Sequence, residues 1–198
     1  MVGDYLVYKK LGCFIFLLLL LVGCSNDTGD TDKVPALFQA VYDNDLAKVR
    51  ELTQSNDGSI NNLYKGSTVL HAAIYNLDIE MIEVLVEAGA SFTLKDEYGE
   101  TPFFLASDLA NIKAIKYFLG KGADPNERNQ EGDTPLMRFA VRGNIPIDVF
   151  LDTMDIMVES GADLTIKNNQ GETLLSKIES MVASKEIFHQ IEDHMASY

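Results

Sequence analysis

Positive charge is scarce in this chain. Its 198 residues carry 16 Lys and Arg against 30 Asp and Glu, a formal net charge of −14. Phosphate backbones and anionic lipid surfaces repel so acidic a chain, which excludes nucleic acid as a partner. Cysteine is nearly absent, with Cys13 and Cys24 as the two copies and no paired-cysteine motif. Long apolar runs are missing too. Leu11 to Val22 is twelve residues, short of the roughly 20 that a stable span needs. There is no GxSxG, no P-loop, no GxGxxG and no HExxH. No catalytic constellation, cofactor or small-molecule substrate can be named. The three histidines do not change this. His71 sits inside a repeated phrase, and His189 and His194 are five apart, about 140° around a helix. With Glu192 and Asp193 beside them, those two could bind a metal, and an enzyme would need a site made either by this pair or by the insertion near 144–149.

What is present is a phrase that recurs with changes. It reads Tyr64-Lys65-Gly66-Ser67-Thr68-Val69-Leu70-His71, then Asp96-Glu97-Tyr98-Gly99-Glu100-Thr101-Pro102. It returns as Asn129-Gln130-Glu131-Gly132-Asp133-Thr134-Pro135 and as Asn169-Gln170-Gly171-Glu172-Thr173. The glycines at 66, 99, 132 and 171 are 33, 33 and 39 residues apart. A second phrase keeps time with it: Gly89-Ala90, Gly122-Ala123-Asp124 and Gly161-Ala162-Asp163. Each letter has a physical task. The first glycine permits a positive φ at a tight turn. The threonine that follows is placed to cap a helix, and Pro102 and Pro135 stand at the first helical position, where no amide hydrogen is missed. The Gly-Ala phrase closes a second helix with a left-handed C-cap. A unit of turn, helix, helix and loop cannot bury its own apolar face, so copies must stack.

Two markers at a period of 33 resemble ankyrin repeats. The resemblance covers residues 34 to 198 and implies an all-α solenoid of about five repeats with short β-hairpin-like turns, capped at both ends. The repeats are expected at about 35–62, 63–95, 96–128, 129–167 and 168–198. The fourth departs from the pattern, with six extra residues between Asn144 and Val149 and Phe139 where Ala73 and Ala106 stand in earlier copies. Both read as a local distortion, either a longer loop or extra helical turns.

The N-terminus carries a separate signal. Lys9-Lys10 precede the apolar run, which ends in Leu21-Val22-Gly23-Cys24-Ser25. This resembles a bacterial lipoprotein signal with its lipobox. The likeness implies a signal peptide over 1–23, lipidation of Cys24, a polar tether over 24–34 and the repeat domain over 35–198. Ser25 after the cysteine resembles the sorting pattern for the outer membrane, facing the periplasm.

In ankyrin-like stacks the turn tips and the first-helix face grip other proteins. Carried over residue by residue, the tips give Tyr64, Lys65, Ser67, Glu97, Tyr98, Glu100, Gln130, Glu131, Asp133, Asn169, Gln170 and Glu172. The helix face gives Tyr75, Asn76, Asp108, Leu109, Val141 and Arg142. Tyrosines suit interface anchors, and the acids around them favour a partner with a basic patch. The expected function is a lipid-anchored, non-catalytic interaction module of the cell envelope. Its acidity and anchoring are similar to those of some immunity proteins that neutralise a toxin or lipase. A structural envelope spacer is the alternative.

Overall fold

A computed structural model describes residues 34–54, 59–142, 145–182 and 184–198. The signal, Cys24 and nearly all of the tether lie outside the described residues. Those described belong to one compact unit, Val34–Tyr198. It is built of five helix pairs: α1 (Ala36–Tyr42) with α2 (Leu46–Leu52), α3 (Val69–Tyr75) with α4 (Ile79–Glu87), α5 (Pro102–Asp108) with α6 (Ile112–Gly120), α7 (Pro135–Ala140) with α8 (Ile147–Glu159), and α9 (Leu174–Met181) with α10 (Lys185–Met195). The first helices pack in one row and the second helices in another. No strand occurs among the described residues; the turn at Tyr64 and Ser67 forms a single antiparallel bridge.

The local reasons are those read from the repeated phrase. Thr68, Thr101, Thr134 and Thr173 each cap a first helix by accepting the amide three residues on. His71 is fully buried, with Nδ1 2.8 Å from the Thr68 hydroxyl and Nε2 3.0 Å from the Glu100 carbonyl oxygen. It braces one repeat against the next, and burial holds its imidazole below the usual histidine range. Asp45 and Asn111 cap α2 and α6 in the same way, and Asp78 caps α4 by accepting the amide two residues on. The core runs unbroken through the rows, with Leu70, Ile82, Leu85, Ile115, Phe118 and Met154 wholly enclosed.

A different linkage supports the α5 cap. The Thr101 hydroxyl donates to the Glu127 carboxylate. Burial pushes that carboxyl up to about 7, against a smaller opposing pull from the Thr101 hydroxyl. The folded protein therefore keeps a proton that the unfolded chain releases near pH 4.3. The stability this group contributes is present at low pH and is lost as pH rises through about 7. Glu127→Gln, which removes the charge but keeps the acceptor, should raise the urea midpoint at pH 8 and leave it nearly unchanged at pH 4.5. A gain of equal size at both values would contradict this.

The fourth pair resolves the six extra residues. The link between helices, three residues in the second and third pairs, is six residues here. The second helix grows from nine residues to thirteen, and the first shortens from seven to six. The added N-terminal turn of α8 carries Phe150, which stacks on Phe139 with ring centroids 5.7 Å apart and planes 10° from parallel. Both rings are buried. Phe139 and the insertion are thus one coordinated change: the long helix supplies the surface that the large ring needs.

The turn ridge and its recess

The hairpins at Gly99, Gly132 and Gly171 are each organised by the residue three before the glycine, whereas the first, with Leu63 at that place, is closed by the Tyr64–Ser67 bridge. Asp96 accepts from the amides of Tyr98 and Glu100, both at 2.9 Å. Asn129 accepts from Glu131 and Asp133, and Asn168 from Gln170 and Glu172, at 2.9–3.0 Å. An acceptor on a short side chain mimics a backbone turn and holds the loop open. The hairpins then overlap along the stack. The amide of Glu97 donates to the Gly66 carbonyl at 2.9 Å, and that of Asn169 to the Glu131 carbonyl at 3.0 Å. The side chains of Glu97, Gln130 and Asn169 lie over Gly66, Gly99 and Gly132.

Gly132 is confined twice. Its φ is +78°, and a Cβ there would stand 2.9 Å from the backbone nitrogen of Asn169. The left-handed backbone alone costs a side-chain-bearing residue about 1–2 kcal/mol. Gly171, with φ +81° and nothing within 4 Å, carries only that cost. Urea unfolding should therefore rank Gly132→Ala as clearly more destabilising than Gly171→Ala; equal losses would mean that the overlap contributes nothing.

The sequence-derived candidates divide into two groups on this ridge. Tyr98 is 64% exposed and Tyr75 58% exposed. Lys65, Glu97, Gln130 and Glu131 are also exposed. Tyr98, Glu100, Gln130 and Glu131 come together with Asn129 and Arg138 around an open recess of about 300 Å³. Glu100 is half-buried there and accepts from the Asn129 side-chain amide at 3.3 Å. Burial raises its carboxyl above the usual range, the Asn129 contact opposes this, and Asp108 raises it further.

The others are committed elsewhere. Asp133, expected on an exposed tip, is 1% exposed. Its carboxylate takes the Lys177 ammonium at 2.6 Å and the Asn168 amide at 2.8 Å, so it holds the fourth repeat to the fifth. Asp108 is buried and paired with Arg138 at 2.7 Å and with Arg142. Arg142 is therefore tied to its neighbour rather than offered freely. Asn76 donates to the Val41 carbonyl at 2.6 Å and pins α3 to α1. Tyr64 is half-buried against Phe38, ring centroids 5.3 Å apart, and its hydroxyl is enclosed with no hydrogen-bond partner among the described residues. It packs the first hairpin, with Lys65 over its ring at 5.5 Å. Among the described residues no group of three His, Cys, Asp or Glu side chains is placed to hold a metal. His189 lies 3.3 Å from Glu192, while His194 turns to Asp155 at 2.5 Å, so the pair does not converge.

Asn129 and Arg138 were not among the candidates. For Arg138 a signal was available: Arg138 and Lys177 both stand four residues after a capping threonine, and both are cations.

The architecture has counterparts among known proteins. A family model described as ankyrin repeats in three copies matches residues 7–96 and 37–129, and a single ankyrin repeat matches 131–169. The chain belongs to the ankyrin-repeat family. This ankyrin-repeat chain is 26% identical over 152 residues to the probable 26S proteasome regulatory subunit p28 of Saccharomyces cerevisiae, covering 76% of this chain and 58% of that protein. It is 29% identical over 92 residues to protein phosphatase 1 regulatory subunit 27 of Mus musculus, covering 46% of this chain and 60% of that one. A third relative, the human 2-5A-dependent ribonuclease, is 36% identical over 80 residues, which are 11% of its length. The first two matches span about three-fifths of those relatives. Repeats of this kind generally mediate binding to other proteins, and the first two relatives are named as regulatory subunits.

Proposed function

We propose that this protein is a non-catalytic binding module of the bacterial envelope, held to a membrane by lipid on Cys24, which grips another protein along its hairpin ridge. The observation that carries the binding reading is the ridge of the third repeat. There Tyr98 projects into solvent beside Glu97 and Glu100, neither of which is paired with a cation among the described residues. An exposed, semi-rigid aromatic ringed by acids suits a partner with a basic patch. The regulatory subunits among its relatives support an interaction role. Anchoring is supported by Leu21-Val22-Gly23-Cys24 behind a basic pair and a twelve-residue apolar run. Among the described residues no helix is long and apolar enough to cross a membrane. Outer-membrane placement follows from Ser25. Neutralising a toxin or lipase delivered into the envelope is the role that joins anchoring, acidity and a protein-gripping ridge.

One experiment tests both halves. Partner capture from envelope extract should fall at least tenfold with Tyr98→Ala, at an unchanged melting temperature. Lys113→Ala and Lys116→Ala, on the exposed side of α6, should have little effect. Cys24→Ser should abolish palmitate incorporation and move the protein out of the detergent phase. If the α6 substitutions abolish capture and Tyr98→Ala does not, the ridge is not the binding face; continued palmitate labelling of Cys24→Ser would refute the anchor.

A further inference from the structure

The residue before the capping threonine is acidic in three successive repeats: Glu100, Asp133 and Glu172. Four residues after the same threonine, the fourth and fifth repeats carry Arg138 and Lys177. Lys177 reaches back one repeat, placing its ammonium 2.6 Å from each carboxylate oxygen of Asp133. It also lies 3.9 Å from Glu172. Arg138 occupies the same position one repeat earlier, and Glu100 is the acid it would reach by that pattern.

Arg138 turns elsewhere. Its guanidinium lies against Asp108, at 2.9 Å through Nε and 2.7 Å through Nη2, with Nη1 3.7 Å from Glu131. Glu100 is thus the one acid of the three with no ion pair within 4 Å among the described residues; its side chain holds the Asn129 amide, and Arg138 acts on it only from farther off, pulling its carboxyl down against the larger effect of burial. The recess opens at this place, with the exposed ring of Tyr98 on its wall and Glu131 and Gln130 at its margin. A half-buried carboxylate gains most from a counter-charge that also excludes water.

We propose that the recess receives a cationic side chain, an arginine, from the protein bound on the ridge, with Glu100 as its counter-ion and Tyr98 as the ring it lies against. This rests on the reading of the ridge as a protein-binding face and names the chemistry it selects. The next repeat supplies the precedent, since there the matching acid is filled by Lys177. Arginine fits better than lysine because the recess sets two carboxylates, Glu100 and Glu131, around one aromatic face, while the Asn129 oxygen is already taken by the Glu131 and Asp133 amides. A guanidinium has five donors in a plane that can serve them while stacking on the tyrosine. Arg138, the cation already in the wall, is engaged by Asp108 and Glu131.

The test uses the full chain in a neutral detergent, labelled for NMR at Tyr and Glu. The probes are acetyl-Gly-Arg-Gly-amide and its citrulline counterpart, which has the same shape without the charge. The arginine peptide should shift the Tyr98 ring and the Glu100 carboxyl and should bind at least tenfold more tightly than the citrulline peptide. Glu100→Gln should remove that preference, and Lys116→Ala should preserve it. Equal binding of the two peptides, or an arginine preference that survives Glu100→Gln, overturns the proposal. Envelope capture separates it from the broader reading. If Tyr98→Ala loses the partner and Glu100→Gln does not, the ridge binds a protein without a cation at this place, and only this proposal falls. If neither substitution matters, the ridge reading itself falls.

Discussion

Asp133→Ala should lower stability by about 3–5 kcal/mol, the loss expected when one member of a buried ion pair is removed. The carboxylate is 1% exposed and accepts from Lys177 at 2.6 Å through both oxygens and from Asn168 at 2.8 Å. Without it, the Lys177 ammonium, whose side chain is 16% exposed, keeps Glu172 at 3.9 Å as its nearest acid. The Asn168 amide loses one of two acceptors. The cost belongs to the stranded charge rather than to the pair. For that reason Asp133→Ala combined with Lys177→Met should recover most of the loss. Urea unfolding of the single and double variants distinguishes the cases. A single variant within 1 kcal/mol of the parent would mean that water screens the pair, and a double variant as unstable as the single would mean that packing dominates.

Phe139→Ala should cost about 3–5 kcal/mol, the range for removing a buried aromatic ring. Phe150→Ala should cost a similar amount. The informative quantity is their coupling, because the rings stack at 5.7 Å and 10°. A double-mutant cycle should return about 0.5–1.5 kcal/mol of interaction, as stacked aromatic pairs do. Strict additivity would mean that the two rings do not support each other. Tyr98→Ala, by contrast, should leave unfolding unchanged, since its ring stands in solvent.

The stack was legible in the sequence because its rules are local. A positive φ at Gly66, Gly99, Gly132 and Gly171, a threonine cap after each and a proline at the first helical position of α5 and α7 are each decided within a few residues. The length change was also visible, but its division among loop and helices was not, because that depends on a contact between Phe139 and Phe150 eleven residues on. The candidate site was less legible for the same reason. Asp133 and Glu100 occupy the same letter of the phrase, yet one is buried under Lys177 and the other lines a recess. The difference lies in where a cation one repeat away points, and Arg138 is drawn off by Asp108. Asn76 and Tyr64 likewise looked free until α1 was packed beneath them. Periodicity assigns a residue to a face; it does not tell whether a neighbour from the next repeat has already claimed it.

The overlap of hairpins has one more consequence. Across the irregular fourth repeat the hairpins still touch, Asn169 donating to Glu131 at 3.0 Å, one residue before the acceptor that matches Gly66, to which Glu97 donates at 2.9 Å. The loop side is clamped as well. Asn126 grips the Gly161 carbonyl at 2.8 Å and the Asp163 amide at 2.7 Å, and Asn61 grips Gly89 and Ser91 in the same manner at 3.0 and 2.7 Å. The lengthened fourth pair, with its longer link and longer second helix, therefore lies between a hairpin contact and a loop clamp. The hairpin side thus stays in contact from repeat to repeat while the helix pair behind it lengthens. A partner lying along that seam would therefore meet touching hairpins on either side of the lengthened pair, so one side of the molecule can change length while the other stays joined.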